Sequence, residues 1–423
     1  MGTVRLTLDS AQELLGKDET DVEITDLEEE PGSGRGDNYT SILYRVSVKG
    51  LKTMRTGEKV AWERAIIYKA LPQSREHREA FKSEALFKNE VVFYTKVWPA
   101  LDELQSDGKR VFGGVAKVYI AKEDIIAMED LRERGFKMAD RTQGLQVESL
   151  KQVLKALAGF HALSLTLHDL RPEQFERLTT GDDGQGIKEA LFREENEDWY
   201  RQYYRVAANN AIAMVSKTLS VKMEHRREEI MGKLRAFLHE DVFFRTMSQL
   251  AASKGPLTVF CHGDCWTNNI LFKDETTDEA EPVYLVDFQL TRVGSLALDL
   301  VNLLYCCTSG DVRRVHMTQL LRHYHCHLML CLQTLNPNTT RNAPIMWEYL
   351  TQEMRRCGRF GVGLALDVLP ISTCASDEAP DLYEDAEVDK EEGHAKWAPP
   401  LGGAKCAKLM TDLVIELIHN DAL

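Results

Sequence analysis

The chain has 423 residues, 43% apolar and 28% charged, a soluble globular balance long enough for two or three folding units. Lys and Arg number 52 against 66 Asp and Glu, a net charge of −14 that argues against non-specific nucleic-acid binding and offers no basic face to anionic membranes. Nine scattered cysteines without a CxxC pair predict reduced thiols in a cytoplasmic protein. The N-terminal MGTVRLTLDS has no apolar core and predicts no signal peptide. No uncharged apolar run approaches ~18 residues, so no membrane span is predicted.

In chain order, a short helix over Ala11–Leu15 is followed by a strand near Val22–Leu27. The glycine-rich PGSGRGDNYT precedes Ile42, Tyr44, Val46 and Val48, which alternate as in a half-buried strand. A turn at residues 51–59 and a strand over Trp62–Leu71 complete a hairpin. From Ser74 to Leu104 the apolar residues recur at helical spacing. Val111–Tyr119 and Asp124–Met128 read as two further strands.

After Leu131 the chain reads as mostly helical. Leu150, Val153, Leu154, Leu157, Ala158 and His161 share one helix face, on which His161 reads as a satisfied core histidine. Residues 185–250 read as charged helices, Leu257–Phe272 with Val283–Phe288 as a small hairpin, and Leu296–Tyr305 and Val312–Leu335 as helices again. Residues 376–396 carry nine acids and few apolar side chains, the composition of a mobile surface insertion. Cys406 to Leu417 closes the chain with an amphipathic helix, and no internal repeat is found.

The chemistry concentrates in CHGDCWTNNILF followed by LVDFQ. Asp264 and Asn269 are five residues apart, and Asp287 follows 23 residues after Asp264. Phosphoryl transfer needs a carboxylate to orient and deprotonate the attacking hydroxyl, and oxygen ligands for Mg²⁺ on the phosphates. A loop can put Asp264 at the acceptor and Asn269 at the metal, and a hairpin over 270–286 returns Asp287 to the same metal. A competing cluster, RHYHCHLMLC, sets His323 and His327 one helical turn apart, but it lacks the HExxH glutamate and any second ligand group, so ordinary helix positions are expected there.

HGDCWTNNILF, LVDFQ, MEDL, LAGFHALS and GDNYTSILYRV together resemble the ecdysteroid kinase-like family, within the aminoglycoside phosphotransferase and choline kinase-like relatives of protein kinases. The resemblance spans about Gly34 to Leu369. It implies an α+β, bilobal protein-kinase-like fold: a small β-rich ATP-binding lobe with one main helix over residues 1–130, and a large helical lobe over 131–423. It implies ATP and Mg²⁺ as cofactors and a small-molecule alcohol as acceptor, an ecdysteroid first, with dietary hydroxylated compounds or a pseudokinase binding role as alternatives.

In that frame Asp264 is the catalytic base, and Asn269 and Asp287 hold the metal. Gly34, Gly36 and Asn38 fall in the phosphate loop, although the spacing is not GxGxxG. Lys69 lies beside Ile67 on one strand face and wants an anion; Glu84 and Glu90 both lie on half-apolar helix stripes, and the family match picks Glu90. IIAMEDL is the inter-lobe hinge, where Glu129 and Leu131 offer backbone groups to adenine. Asp299 and His262 take bracing roles behind the HGD loop. HGD in place of HRD, DFQ in place of DFG, and the lack of an APE segment argue against a protein kinase.

Overall fold

Alternation along the first strands gives one sheet two different faces. The computed structural model describes residues 5–32, 41–72, 75–80, 82–105, 108, 110–180, 186–273, 282–338, 345–374 and 402–423. Helix α1 (Leu8–Leu15) starts at Thr7, whose hydroxyl accepts the Ser10 N–H while Ser10 Oγ accepts the Thr7 N–H. Strands β1 (Val22–Pro31), β2 (Ile42–Thr53), β3 (Lys59–Ala70), β4 (Val118–Ala121) and β5 (Ile125–Glu129) pair antiparallel in the order β1–β2–β3–β5–β4. Val46, Val48, Ile66, Tyr68 and Ala70 take one face and are buried with Leu15, Ile125 and Ala127. Gln12 ties α1 to that sheet by donating to the Val22 carbonyl and accepting the Ile24 N–H. Leu43, Arg45, Ile67 and Lys69 take the opposite face and line a cleft of about 360 Å³.

Helices α2 (Arg75–Ala80), α3 (Ser83–Val92) and α4 (Trp98–Asp102) connect β3 to β4. The sequence predicts one helix here; the structure interrupts it with a π-helical turn over Phe93–Val97. Pro99 is the cause. It has no N–H to give Thr95, and the Trp98 N–H instead reaches back five residues to the Phe93 carbonyl. The strand expected over Val111–Tyr119 shrinks to Val118–Ala121, because Gly113 and Gly114 carry a buried loop in which a Cβ on Gly114 would meet the Val283 carbonyl at 2.2 Å.

The rest of the chain is helical around two small sheets. It runs β6 (Lys137–Met138), α5 (Val147–Leu170), α6 (Pro172–Thr180), α7 (Glu197–Thr218), α8 (Arg227–Phe237), α9 (Glu240–Ala252), β7 (Thr258–Cys261), β8 (Ile270–Phe272), β9 (Val283–Leu285) and β10 (Arg292–Ser295). Helices α10 (Ala297–Cys306), α11 (Gly310–Leu335), α12 (Ile345–Arg356), α13 (Gly358–Thr373) and α14 (Ala404–His419) complete it. β8 pairs β9 as the hairpin expected over 270–286, and β6 adds to it, whereas β7 leaves that hairpin and pairs β10 in a separate sheet. Helix α5 is buried along most of its length, with α11 packed beside it.

No disulfide joins the nine cysteines, of which eight are buried and Cys326 is exposed. Among the described residues no helix is long and apolar enough to cross a membrane. The acidic stretch 376–396 lies outside the described residues.

Candidate active site

Lys69 stands on β3 with its ammonium inside the molecule. Its Nζ lies 2.8 and 2.9 Å from the two Glu90 carboxylate oxygens and 2.7 Å from Asp287 Oδ1. Lys69 and Glu90 are both buried, and Asp287 is partly open. Burial disfavours the ammonium, but the Asp287 and Glu90 charges outweigh it and raise the Lys69 pKa, so the side chain stays cationic. Of the two glutamates, Glu84 is exposed and pairs with Arg78 at 3.0 Å, leaving the lysine to Glu90.

Helix α3 is fixed to the far side of the cleft. Asn89 donates to the Gln289 and Thr291 carbonyls at 3.1 and 2.6 Å. Phe93 stacks on Phe288, with ring centroids 3.8 Å apart and 7° between planes. The residue after Asp287 is therefore clamped by the helix that carries Glu90. Asp287 itself sits at φ 67°, a left-handed conformation rare for a side chain that is not glycine.

The loop after β7 carries Asp264. Gly263 has φ 88°, and a Cβ there would meet the Leu290 carbonyl at 1.8 Å, so only glycine fits. Asp299, at the start of α10, accepts the backbone N–H groups of His262 and Gly263 at 2.7 and 2.9 Å. It is buried; burial alone would raise its pKa, but the His161 hydrogen bond and charge outweigh burial and hold it below the ordinary 3.8. His161 in turn faces the Tyr324 hydroxyl at 2.7 Å, extending the brace from α5 to α11. His262 Nε2 lies 3.0 Å from the Val286 carbonyl, and its Nδ1 lies 3.3 Å from the Asp264 N–H. Burial keeps this histidine below its ordinary pKa, and the neutral ring donates at Nε2 and accepts at Nδ1.

Asn269 Nδ2 donates to the Asp264 main-chain carbonyl and to Asp264 Oδ2, at 2.9 and 2.8 Å. Its amide oxygen is thereby turned away from Asp264. Burial, then the charge of Asp287, pushes the Asp264 carboxyl up to about 7, against the Asn269 hydrogen bond and the Arg292 charge. Asn269 and Asp287 both line the 360 Å³ cleft with Lys69, Met128, Glu129 and Leu131. The Glu129 N–H is engaged with the Lys117 carbonyl, and the Leu131 carbonyl accepts the Phe136 N–H. Gly34, Gly36 and Asn38 lie outside the described residues, while Gly32 reaches the cleft wall.

Two site residues escape the sequence reading. Arg292 is buried on β10, bonded to Glu189 at 2.8 Å and lying over the Phe192 and Phe360 rings. Asp367 on α13 accepts the Tyr204 hydroxyl, and burial pushes it up to about 7, with Asp264 adding to the rise. A lone acid in the apolar GVGLALDVLPIS is the same signal that singles out Asp299. Among the described residues no cluster of three or more His, Cys, Asp or Glu could hold a metal by itself, and His323 contacts the Lys151 carbonyl at 3.1 Å.

A sheet lysine paired to a helix glutamate, facing an Asp–Asn loop and a further aspartate across a cleft, defines a two-lobed kinase-like protein. The chain belongs to the ecdysteroid kinase-like family, whose profile matches residues 35–337. It is similar to an uncharacterized kinase-like protein of Caenorhabditis elegans, 24% identical over 200 residues, which span 47% of this chain and 46% of that relative. Among solved structures it is similar to a GDP complex of an aminoglycoside 2'-phosphotransferase mutant, at 12% identity and TM-score 0.35 over 84% of this chain and 100% of the other. A streptomycin–ATP ternary complex of a second aminoglycoside phosphotransferase matches at 12% identity and TM-score 0.33, over 87% and 91%.

Proposed function

We propose that the protein is a small-molecule kinase that transfers the γ-phosphate of ATP to an alcohol. The observation that carries this reading is Lys69, buried in the cleft and held by Glu90 and Asp287, with Asn269, the residue bonded to Asp264, lining the same cleft. A buried ammonium with two carboxylates fits a site built to receive polyphosphate, whose charge it offsets. The Glu129 carbonyl and the Leu131 N–H are the hinge groups assigned to adenine.

The donor set beside Asp264 is oxygen-rich: the Asp287 carboxylate, and the Asn269 amide oxygen left over once Nδ2 is spent on Asp264. These hard ligands fit Mg²⁺, which takes its remaining positions from phosphate and water. When bound, the ion offsets charge on the phosphates and on Asp287. Asp264 orients the acceptor hydroxyl and takes its proton as the oxygen bonds to the γ-phosphorus; the bond from that phosphorus to the bridging oxygen breaks, and ADP departs. Asn269 keeps the Asp264 carboxylate aimed, and the Asp299 brace keeps the loop at one height.

The acceptor assigned first is an ecdysteroid or a related polyol, on the strength of family membership. The retained lysine, glutamate, base and two metal ligands favour transfer over a pseudokinase role. Purified protein incubated with Mg·ATP and a panel of ecdysteroids, amino alcohols and plant phenolics, read by mass, tests it. A phosphate adduct on an ecdysteroid is the expected product. Turnover of phenolics alone moves the protein to detoxification, and ATP binding without any adduct moves it to a binding role.

A further inference from the structure

Besides Lys69, the cleft is lined by Arg45, Arg132 and Lys137, of which Arg45 stands on the same sheet face as the lysine. Arg45 is opposite Ile67 in the β2–β3 register, and Leu43 is opposite Lys69. Ile67 is in turn opposite Met128 on β5. Arg45, Ile67 and Met128 thus form one level of the cleft wall, two residues along the strand from Lys69, or ~7 Å. That level adjoins the Glu129–Leu131 connection, at the end of the cleft away from the lysine, and Arg45 and Asp130 both line it.

A strand position over an apolar pocket is ordinarily filled by an apolar side chain, because a guanidinium there must lose water. Here the loss is offset at the guanidinium's edge. Arg45 Nε lies 2.5 Å from Asp130 Oδ2, and Glu30 stands 3.7 Å from Nη1. Asp130 is itself fixed, its other oxygen accepting the Arg132 N–H at 3.0 Å. The side chains of Arg45 and Asp130 are only 16% and 5% exposed. A guanidinium bonded at its edge can still offer its flat face, which stacks well on aromatic rings.

Resting on the Mg·ATP reading above, we propose that Arg45 is a positioning residue for the nucleotide base: its guanidinium, oriented by Asp130, forms one wall of the base subsite and packs flat on the purine. It follows that the two cations of this sheet face divide the nucleotide between them, Lys69 taking the phosphates and Arg45 the ring.

Calorimetric titration of the wild-type chain, Arg45→Met and Asp130→Asn with Mg·ATP and with Mg·tripolyphosphate tests this. Arg45→Met should weaken Mg·ATP about 5- to 30-fold, the range of a cation–π contact partly removed from water, and leave tripolyphosphate unmoved. Asp130→Asn keeps the side-chain shape and should give a smaller loss in the same direction. Equal losses for both ligands would make Arg45 a phosphate contact, and an unchanged Mg·ATP affinity in Arg45→Met would remove it from the site; either overturns the proposal while the kinase reading stands. A wild-type chain that binds tripolyphosphate but gains nothing from the base also overturns it. Failure of the wild-type chain to bind Mg·ATP defeats the kinase reading and this inference together.

Discussion

At the residue scale, the proposed function separates the groups assigned to the nucleotide from the group assigned to the acceptor. Asp264→Asn keeps an acceptor for the Asn269 amide, so Mg·ATP affinity should be unchanged while turnover falls ~10²–10⁴-fold, the usual cost of losing a general base. Single-turnover phosphoryl transfer beside a binding isotherm separates the two quantities. Asp287 calls for a different substitution. Its φ of 67° suits asparagine better than alanine, so Asp287→Asn isolates the charge from the backbone. It should weaken Mg·ATP binding by about 10- to 100-fold and leave Lys69 still paired to Glu90; calorimetry that finds no change would remove Asp287 from the metal site. The sequence pattern could not choose between Glu84 and Glu90, because helical periodicity gives stripes without saying which stripe meets the strand. Arg292 was not legible for a related reason, its partners Glu189 and Phe360 coming from distant segments, whereas Asp367 carried the lone-acid signal of Asp299 and only its partner Tyr204 was out of reach of the pattern.

At the element scale, α10 sets the height of the Asp264 loop through Asp299. Replacing Asp299 by Asn turns one acceptor into a donor facing N–H groups, and should cost about 2–3 kcal/mol, the size of a hydrogen bond to a buried charge. The pH dependence has a definite sign. A carboxyl held below 3.8 in the fold contributes its full stability above that value and loses it as pH falls through the lower, folded value. The gap between wild type and Asp299→Asn in chemical denaturation should therefore be constant from pH 7 down to about 4, and narrow toward pH 2. A gap that stays constant to pH 2 would mean that the carboxylate's charge plays no part. Long elements such as α5 and α11 were legible because their periodicity repeats over many turns. β10 was not, since RVGS offers four residues, a glycine and no alternation. The run Val111–Tyr119 misled in the opposite direction: it is apolar because it is buried, yet most of it is loop, its backbone bonded to Gln105, Leu285 and Glu129 rather than in a ladder.

On the scale of the whole molecule, the upper sheet and the helical body meet through Lys69–Asp287, Asn89 and the Phe93–Phe288 stack. A nucleotide in the cleft adds contacts to both sides, so Mg·ATP at 100 times its Kd should stabilise the fold by about 2.7 kcal/mol. In Lys69→Met that shift should shrink, with thermal denaturation at matched ligand concentrations as the check. The two-lobed plan was legible from the switch of period near Leu131 together with the HGD and DFQ motifs. The phosphate-loop assignments at Gly34, Gly36 and Asn38 fall outside the described residues.

The distribution of the cysteines makes the protein a natural substrate for single-point labelling. Burial pushes the thiols of Cys261, Cys265, Cys306 and Cys357 upward, away from the reactive thiolate form, while Cys326 alone is exposed, on α11. A colorimetric thiol assay should therefore count about one fast-reacting group in the native chain and all nine after denaturation. A maleimide dye would then mark the helical body at one known position without any engineered cysteine. Paired with a fluorescent nucleotide in the cleft, it would report binding by energy transfer.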